Sequence, residues 1–161
     1  MTTRFNNNVI LVTGAGSGIG RATARAFAAE GGIVIVSDIS EVSGNSTVSS
    51  ILEAGGRAQF LGCDVADPTQ LAELTAKIVQ EHGRLDVAVN NAGVGGTITK
   101  LADVPSEEYH HTVSINLGGV FFGMQHQLQQ MLKQGGGSIV NVASVAGLRA
   151  LPQSAVYTAT K

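Results

Sequence analysis

Five short apolar runs rich in β-branched residues alternate with longer helix-forming stretches, and this alternation narrows the possible folds more than any other feature of the chain. The runs are Val9–Thr13, Ile33–Asp38, Ala58–Asp64, Asp86–Asn90 and Ser138–Ser144. They are apolar on both faces, the pattern of strands buried inside a parallel sheet. Between them lie Gly18–Glu30, Val42–Ala54, Pro68–His82 and Ser106–Lys133. The first of these is Ala-rich and stopped by Gly31-Gly32. The third opens with Asp67 as N-cap and Pro68 at the first helical position. The last ends at Gly135-Gly136-Gly137, and a break or kink is expected near Asn116–Gly119, where Gly118-Gly119 weakens the helix. The order βαβαβαβαβ implies right-handed crossovers and an open α/β architecture, a doubly wound parallel sheet with strand order 3-2-1-4-5. In such a sheet a ligand sits at the carboxyl ends of the strands, where the order reverses.

Composition removes several function classes. The net charge is −2 and no Lys/Arg block exists, which argues against nucleic acid or an anionic membrane as partner. Trp is absent and aromatics are few, so a base-stacking platform is not expected. The single cysteine, Cys63, forms no internal disulfide, suits a reducing compartment and reads as an inert core thiol. No apolar signal core follows Met1 and no run reaches membrane-spanning length, so the expectation is a soluble cytoplasmic protein. His82, His110, His111 and His126 lack acids or cysteines at metal-ligand spacing, so no metal site is expected. The 161 residues show no repeat and no dividing linker, and read as one domain.

The first run passes directly into Thr13-Gly14-Ala15-Gly16-Ser17-Gly18-Ile19-Gly20, followed by a helix. Glycines at this junction permit a tight turn and let backbone N–H groups approach a pyrophosphate at the positive end of the helix. The spacing is G-x-x-x-G-x-G, with Ile19 where the commoner G-x-G-x-x-G has its last glycine. The second run ends at Asp38, which can accept hydrogen bonds from both hydroxyls of an adenosine ribose and would repel a 2′-phosphate. Ser37 and Ile39 flank it and Ser17 precedes Gly18, so no cation offsets that repulsion. The pattern favours NAD over NADP. Asp64-Val65 closes the third run, placing Asp64 within reach of an adenine amino group. Asn90-Asn91-Ala92-Gly93 closes the fourth, where Asn side chains fix loop backbones and Gly93 lets a cofactor pass close.

Ser144 ends the fifth run, Tyr157 follows thirteen residues later, and Lys161 stands four beyond Tyr157. If that segment is helical, Tyr157 and Lys161 share a face. An ammonium near a phenol stabilises its phenolate, making a competent acid or base for an alcohol–carbonyl couple, and a serine hydroxyl can polarise the carbonyl. Alone, Tyr-x-x-x-Lys describes many amphipathic helices. Taken together, Thr13–Gly20, Asp38, Asp64, Asn90–Gly93, Asn116, Ser144 and Tyr157-x-x-x-Lys161 resemble the short-chain dehydrogenase/reductase family along essentially the whole chain. The resemblance implies a Rossmann-like fold that binds NAD(P) and oxidises a small alcohol or reduces a ketone. Tyr157 would be the general acid/base, and Lys161 would ease its deprotonation and hold the nicotinamide ribose. Ser144 would orient the substrate oxygen, and Asn116 would support a proton-relay water. Thr13, Gly14, Gly18, Ile19 and Gly20 would form the pyrophosphate loop. Asn91, with Ala92 and Gly93, would sit over the cofactor and pack the junction of the central strands.

The sequence stops at Lys161, whereas members of that family run to about 250 residues. The domain is therefore expected to be incomplete on its C-terminal side. Strand five would be an unprotected edge, Tyr157 and Lys161 would lie on a tail too short for a stable helix alone, and the terminal carboxylate would weaken the field of Lys161. Made as such, the piece is expected to fold poorly and turn over little. In full-length relatives the helix holding Phe121, Phe122, Met124, Leu128 and Met131 commonly packs on a second subunit, so a homo-oligomer is expected. The alternatives are a redox-sensing dinucleotide binder and an inactive remnant. Gln125–Gln130 reads as a polar helix stretch without chemistry.

Overall fold

The computed structural model describes residues 3–161. Five strands, β1 (Val9–Thr13), β2 (Ile33–Asp38), β3 (Arg57–Gly62), β4 (Val87–Asn90) and β5 (Ser138–Asn141), form one sheet in the order β3-β2-β1-β4-β5. All four pairings are parallel, with Val12 opposite both Val36 and Val89. Among the described residues six α-helices connect or follow the strands: α1 (Gly18–Ala29), α2 (Glu41–Glu53), α3 (Pro68–His82), α4 (Ser106–Val113), α5 (Gly119–Gln134) and α6 (Ala155–Thr160).

The two-residue alternation of the strands sorts the core into two layers. Val9, Leu11, Ile35 and Leu61 face Leu71, Leu74 and Ile78 of α3 and Met131 of α5. Ile10, Val12, Val34 and Val36 face Ala24 and Ala28 of α1 and Ile51 of α2. Each fully buried Ile or Leu removes enough apolar surface to contribute about 1.5–3 kcal/mol. Asp67 caps α3 by accepting from Thr69 N at 2.8 Å, Pro68 follows it, and Gly83 ends the helix in the left-handed region, as the sequence implies.

Two strands, β3 and β5, end earlier than the sequence reading places them. β3 ends at Gly62, because Cys63 N makes its last bond to Asp38 O at 3.2 Å and Asp64 then turns the chain. β5 ends at Asn141, not Ser144, and Ser144 instead caps a 3₁₀ turn over Val145–Gly147. β5 is not buried on both faces: Ser138, Val140 and Asn141 are exposed at the sheet's open edge, the situation expected of an unprotected strand. The expected kink is a five-residue π turn, Ser114–Gly118, joining α4 to α5. Such turns cluster at functional sites, and this one holds Asn116.

The last segment is a docked helix. α6 packs on α4, Val156 is buried, and Thr160 and Lys161 bond to residues elsewhere in the fold. Tertiary contact supplies what six residues could not supply alone. No described helix is long and apolar enough to cross a membrane.

Candidate active site

A groove of about 560 Å³ runs along the carboxyl ends of β1, β2, β3 and β4. Gly14, Gly18, Ile19 and Asp38 line one half, and Asp64, Val65, Asn91, Ala92 and Gly93 the other. Its size suits a ligand of cofactor dimensions. No Lys or Arg belongs to the lining, and two carboxylates do.

The glycine loop is locked from beneath. Thr13 is buried, and its hydroxyl accepts from Asn91 N at 3.0 Å and Ala92 N at 3.1 Å. Asn91 Nδ2 donates back to Thr13 O at 2.9 Å and Gly14 O at 3.2 Å. Asn91 thus ties the loop after β1 to the loop after β4. Gly20 must be glycine here, since a Cβ would overlap the Gly14 carbonyl and the Asn91 amide. Gly14 has φ +61°, a conformation glycine adopts without strain. Ser17 precedes α1 without a side-chain cap, which leaves first-turn N–H groups open to an anion.

Asp38 is half-buried at the end of β2. Its Oδ2 accepts from Gly16 N at 2.8 Å and its Oδ1 from Ser40 N at 2.9 Å. Each carboxylate oxygen has a further lone pair, so these bonds aim the group without exhausting it. Arg21 does not approach as a counter-charge: it donates to Gly16 O and to Thr47 Oγ1. Asp64 Oδ1 accepts from Ala66 N at 2.9 Å, a turn-forming role compatible with lining the groove. Cys63 beside it lines the same groove but is almost fully buried, and burial, with smaller contributions from Asp64, Asp67 and Glu73, pushes its thiol up to about 12.

Asn116, Ser144, Tyr157 and Lys161 are not part of the groove wall but stand beyond its Gly93 end. Asn116 is buried in the π turn. Its Oδ1 accepts from Val94 N at 2.8 Å, and its Nδ2 donates to Val94 O at 2.9 Å and Thr160 Oγ1 at 3.1 Å. The side chain thus ties the Gly93–Val94 loop to α6. Lys161 Nζ donates to Val142 O at 3.2 Å and lies 5.9 Å from the centre of the Tyr157 ring. A Cβ on Gly93 would come within 3.3 Å of that nitrogen and 3.1 Å of Asn116 Oδ1, so glycine lets the ammonium abut the groove. Ser144 Oγ accepts from Ala146 N at 3.1 Å, fixing the turn on which α6 rests. Gly147 in that turn lies directly against the Lys161 backbone carbonyl.

Two contributors escaped the sequence reading. Gln127 is buried and hydrogen-bonded to Asn90, though it sits in a polar stretch. Thr160 links α6 to Asn116, which nothing in its immediate neighbours signals. No group of three or more His, Cys, Asp or Glu able to hold a metal occurs among the described residues.

Known proteins match this arrangement. A 3beta-hydroxysteroid dehydrogenase of Mediterraneibacter gnavus is 40% identical over 158 residues, covering 98% of this chain and 57% of its own. The NAD+-bound structure of a xylitol dehydrogenase superposes with a TM-score of 0.95 at 35% identity, covering 98% of this chain and 61% of its own. A metagenomic short-chain oxidoreductase in complex with NADP superposes at 0.94 with 31% identity, over 98% of this chain and 71% of its own. The chain spans about three fifths of the length of the relatives it first matches. The fold is the Rossmann-like NAD(P)-binding fold of these structures, and the family model for short chain dehydrogenase matches residues 8–161. The chain belongs to the short chain dehydrogenase family.

Proposed function

We propose that this protein interconverts an alcohol and a carbonyl compound using NAD, with Tyr157 as the general acid/base. The observation that carries the reading is where Lys161 lands: its ammonium abuts Gly93 at the end of the groove and stands 5.9 Å from the Tyr157 ring. The residues present suit a dinucleotide. The glycine loop and the open first turn of α1 would hold the pyrophosphate, Asp38 the adenosine ribose, and Asp64 with Val65 the adenine side. Lys161 and the Asn91–Gly93 loop would hold the nicotinamide end. Bound there, the nicotinamide supplies or takes up the hydride.

The chain's own part is proton management and orientation. In oxidation Tyr157 takes the hydroxyl proton of the substrate, and in reduction it returns one to the carbonyl oxygen. Lys161, held by the Val142 carbonyl, sets its charge beside the Tyr157 ring. Ser144 donates to the substrate oxygen and fixes its direction. Asn116 braces the Lys161 helix from behind, and its remaining lone pair supports a water on the proton path. NAD is preferred because Asp38 and Asp64 line a groove without a cation. The flanking loops present Ile98, Val145 and Leu148 to solvent, which supports an uncharged alcohol or ketone as substrate.

On this reading residues 1–161 form one dinucleotide-binding domain acting in the cytoplasm, without nucleic-acid or membrane partners. Phe121, Leu128 and Leu132 stay exposed on α5, which supports self-association of the natural full-length protein. The test is NAD+-dependent oxidation of a panel of secondary alcohols by that protein. Tyr157→Phe is expected to lower turnover by about 10²–10⁴-fold while dinucleotide affinity holds. A Tyr157→Phe enzyme as fast as the parent contradicts the proposal.

A further inference from the structure

Gln127 is 1% exposed in the middle of α5. A buried glutamine requires partners for two donors and an acceptor, and an apolar side chain would fill the same space without them. Its amide pairs reciprocally with that of Asn90: Asn90 Nδ2 donates to Gln127 Oε1 at 3.0 Å, and Gln127 Nε2 donates to Asn90 Oδ1 at 2.8 Å. The second N–H of Asn90 donates to Asn141 Oδ1 at 2.8 Å. Gly123, one turn earlier, leaves room for the pair, since a Cβ there would sit 3.3 Å from Asn90 Oδ1 and 3.4 Å from Gln127 Nε2. Two side-chain bonds thus join α5 to the end of β4, and a third joins Asn90 to its register partner Asn141 on β5, whose Nδ2 also donates to Met124 Sδ of α5 at 3.1 Å.

What lies downstream is the proposed proton-handling end. The backbone carbonyl of Asn90 accepts from Val142 N at 3.0 Å, and the Val142 carbonyl accepts from Lys161 Nζ at 3.2 Å. We infer that Gln127 is a positioning residue. By clamping Asn90, and Asn141 through it, Gln127 sets where the Val142 carbonyl stands, and through that carbonyl where the Lys161 ammonium stands relative to Gly93 and Tyr157. The catalytic part of this inference rests on the reading of Tyr157 and Lys161 given above. The pairing is specific to an amide of this length, because it needs an acceptor and a donor presented together to Asn90.

The experiment compares the natural full-length protein with Gln127→Met, which keeps length and loses the amide, and with Gln129→Met, the same change at an exposed site on α5. Two readouts are taken at a temperature where all variants are folded. The first is competitive acylation of lysines read by mass spectrometry. Gln127→Met should label Lys161 about 3-fold or more faster while exposed Lys77 and Lys133 keep their rates, and Gln129→Met should change nothing. The second is turnover: Gln127→Met should lower kcat by about 10-fold or more, a larger change than in NADH affinity, and an unchanged kcat counts against the inference. If Gln127→Met does not fold, Gln127→Glu, which keeps an accepting oxygen and loses the donor, is held to the same expectations. Unchanged Lys161 labelling overturns the inference, as does faster labelling of every lysine, which marks a general loosening. A parent protein without NAD+ turnover defeats the functional reading alone, and the labelling comparison still decides the role of Gln127.

Discussion

Replacing Asp38 by asparagine removes a charge from the carboxylate at the β2 end of the groove, where the adenosine ribose is proposed to sit, and its effects divide into two measurable parts. The first concerns the loop. The introduced amide keeps one accepting oxygen for either Gly16 N or Ser40 N, the two groups Asp38 now serves at 2.8 and 2.9 Å. The other N–H then faces an NH2, at a cost of about 1–3 kcal/mol if it stays out of water. A loss of that size lowers Tm by a few degrees in a domain of this length, taking roughly 2–4 °C per kcal/mol. The second part concerns ligand choice. Hydrogen bonds to a charged acceptor contribute about 1.5–3 kcal/mol against about 0.5–1.5 for a neutral one, so two ribose hydroxyls lose about 2 kcal/mol together. That is roughly 30-fold weaker NAD binding. A 2′-phosphate about 4 Å from the carboxylate is opposed by about 1 kcal/mol per charge pair in water and about 4 in a partly screened site. Removing the charge should therefore tighten NADP by about 10-fold or more. Isothermal titration of both dinucleotides against parent and Asp38→Asn reads the two changes directly, with opposite signs. Unchanged affinities accompanied by a lower Tm would show that Asp38 serves the loop alone.

Other perturbations follow from the same geometry. Gly147→Ala places a methyl group into the Lys161 carbonyl, so α6 must shift; turnover should fall about 10²-fold and NADH should bind more weakly, and a variant with both unchanged would show that the contact does not reach Lys161. Burial alone would raise Asp86, but the Arg84 guanidinium at 2.8 Å and the Val9 N–H at 2.8 Å outweigh it and leave the carboxyl below its ordinary range. A lowered acid contributes stability above about pH 4 and loses it as pH falls through the folded value, so Asp86→Asn should flatten the acid side of a stability–pH curve measured in denaturant. An identical slope in both proteins would refute this. Cys63, pushed up to about 12 by burial and its acidic neighbours, should react with a disulfide reagent at pH 8 only as fast as the protein opens; a prompt reaction in the folded state would contradict its placement.

The parallel sheet was legible because its strands are continuous apolar runs separated by glycine and proline punctuation, and both signals are local. The groove was legible for a related reason: Thr13–Gly20, Asp38 and Asn90–Gly93 sit at strand ends, which one strand order brings to one edge. What the sequence concealed depends on tertiary contact. Gln127 lies among Gln125, Gln129 and Gln130, and nothing local marks which of the four turns inward to meet Asn90. β5 reads as a buried strand from its β-branched residues, yet burial is decided by what covers it, and Val140 is half exposed. α6 reads as a tail too short to hold itself, and it is held by Asn116, Val142 and α4. The place where β5 gives way to Ser144 was misjudged by three residues, because the pattern continues through Val142 while the ladder does not.

The central claim is that the glycine loop, Asp38 and Lys161 together make a seat for NAD. Calorimetric titration of NADH and NADPH into folded natural full-length protein tests it most directly. The account requires saturable one-site binding with NADH the tighter of the two. A folded sample that gives no heat with either, or that binds NADPH more tightly, would contradict it.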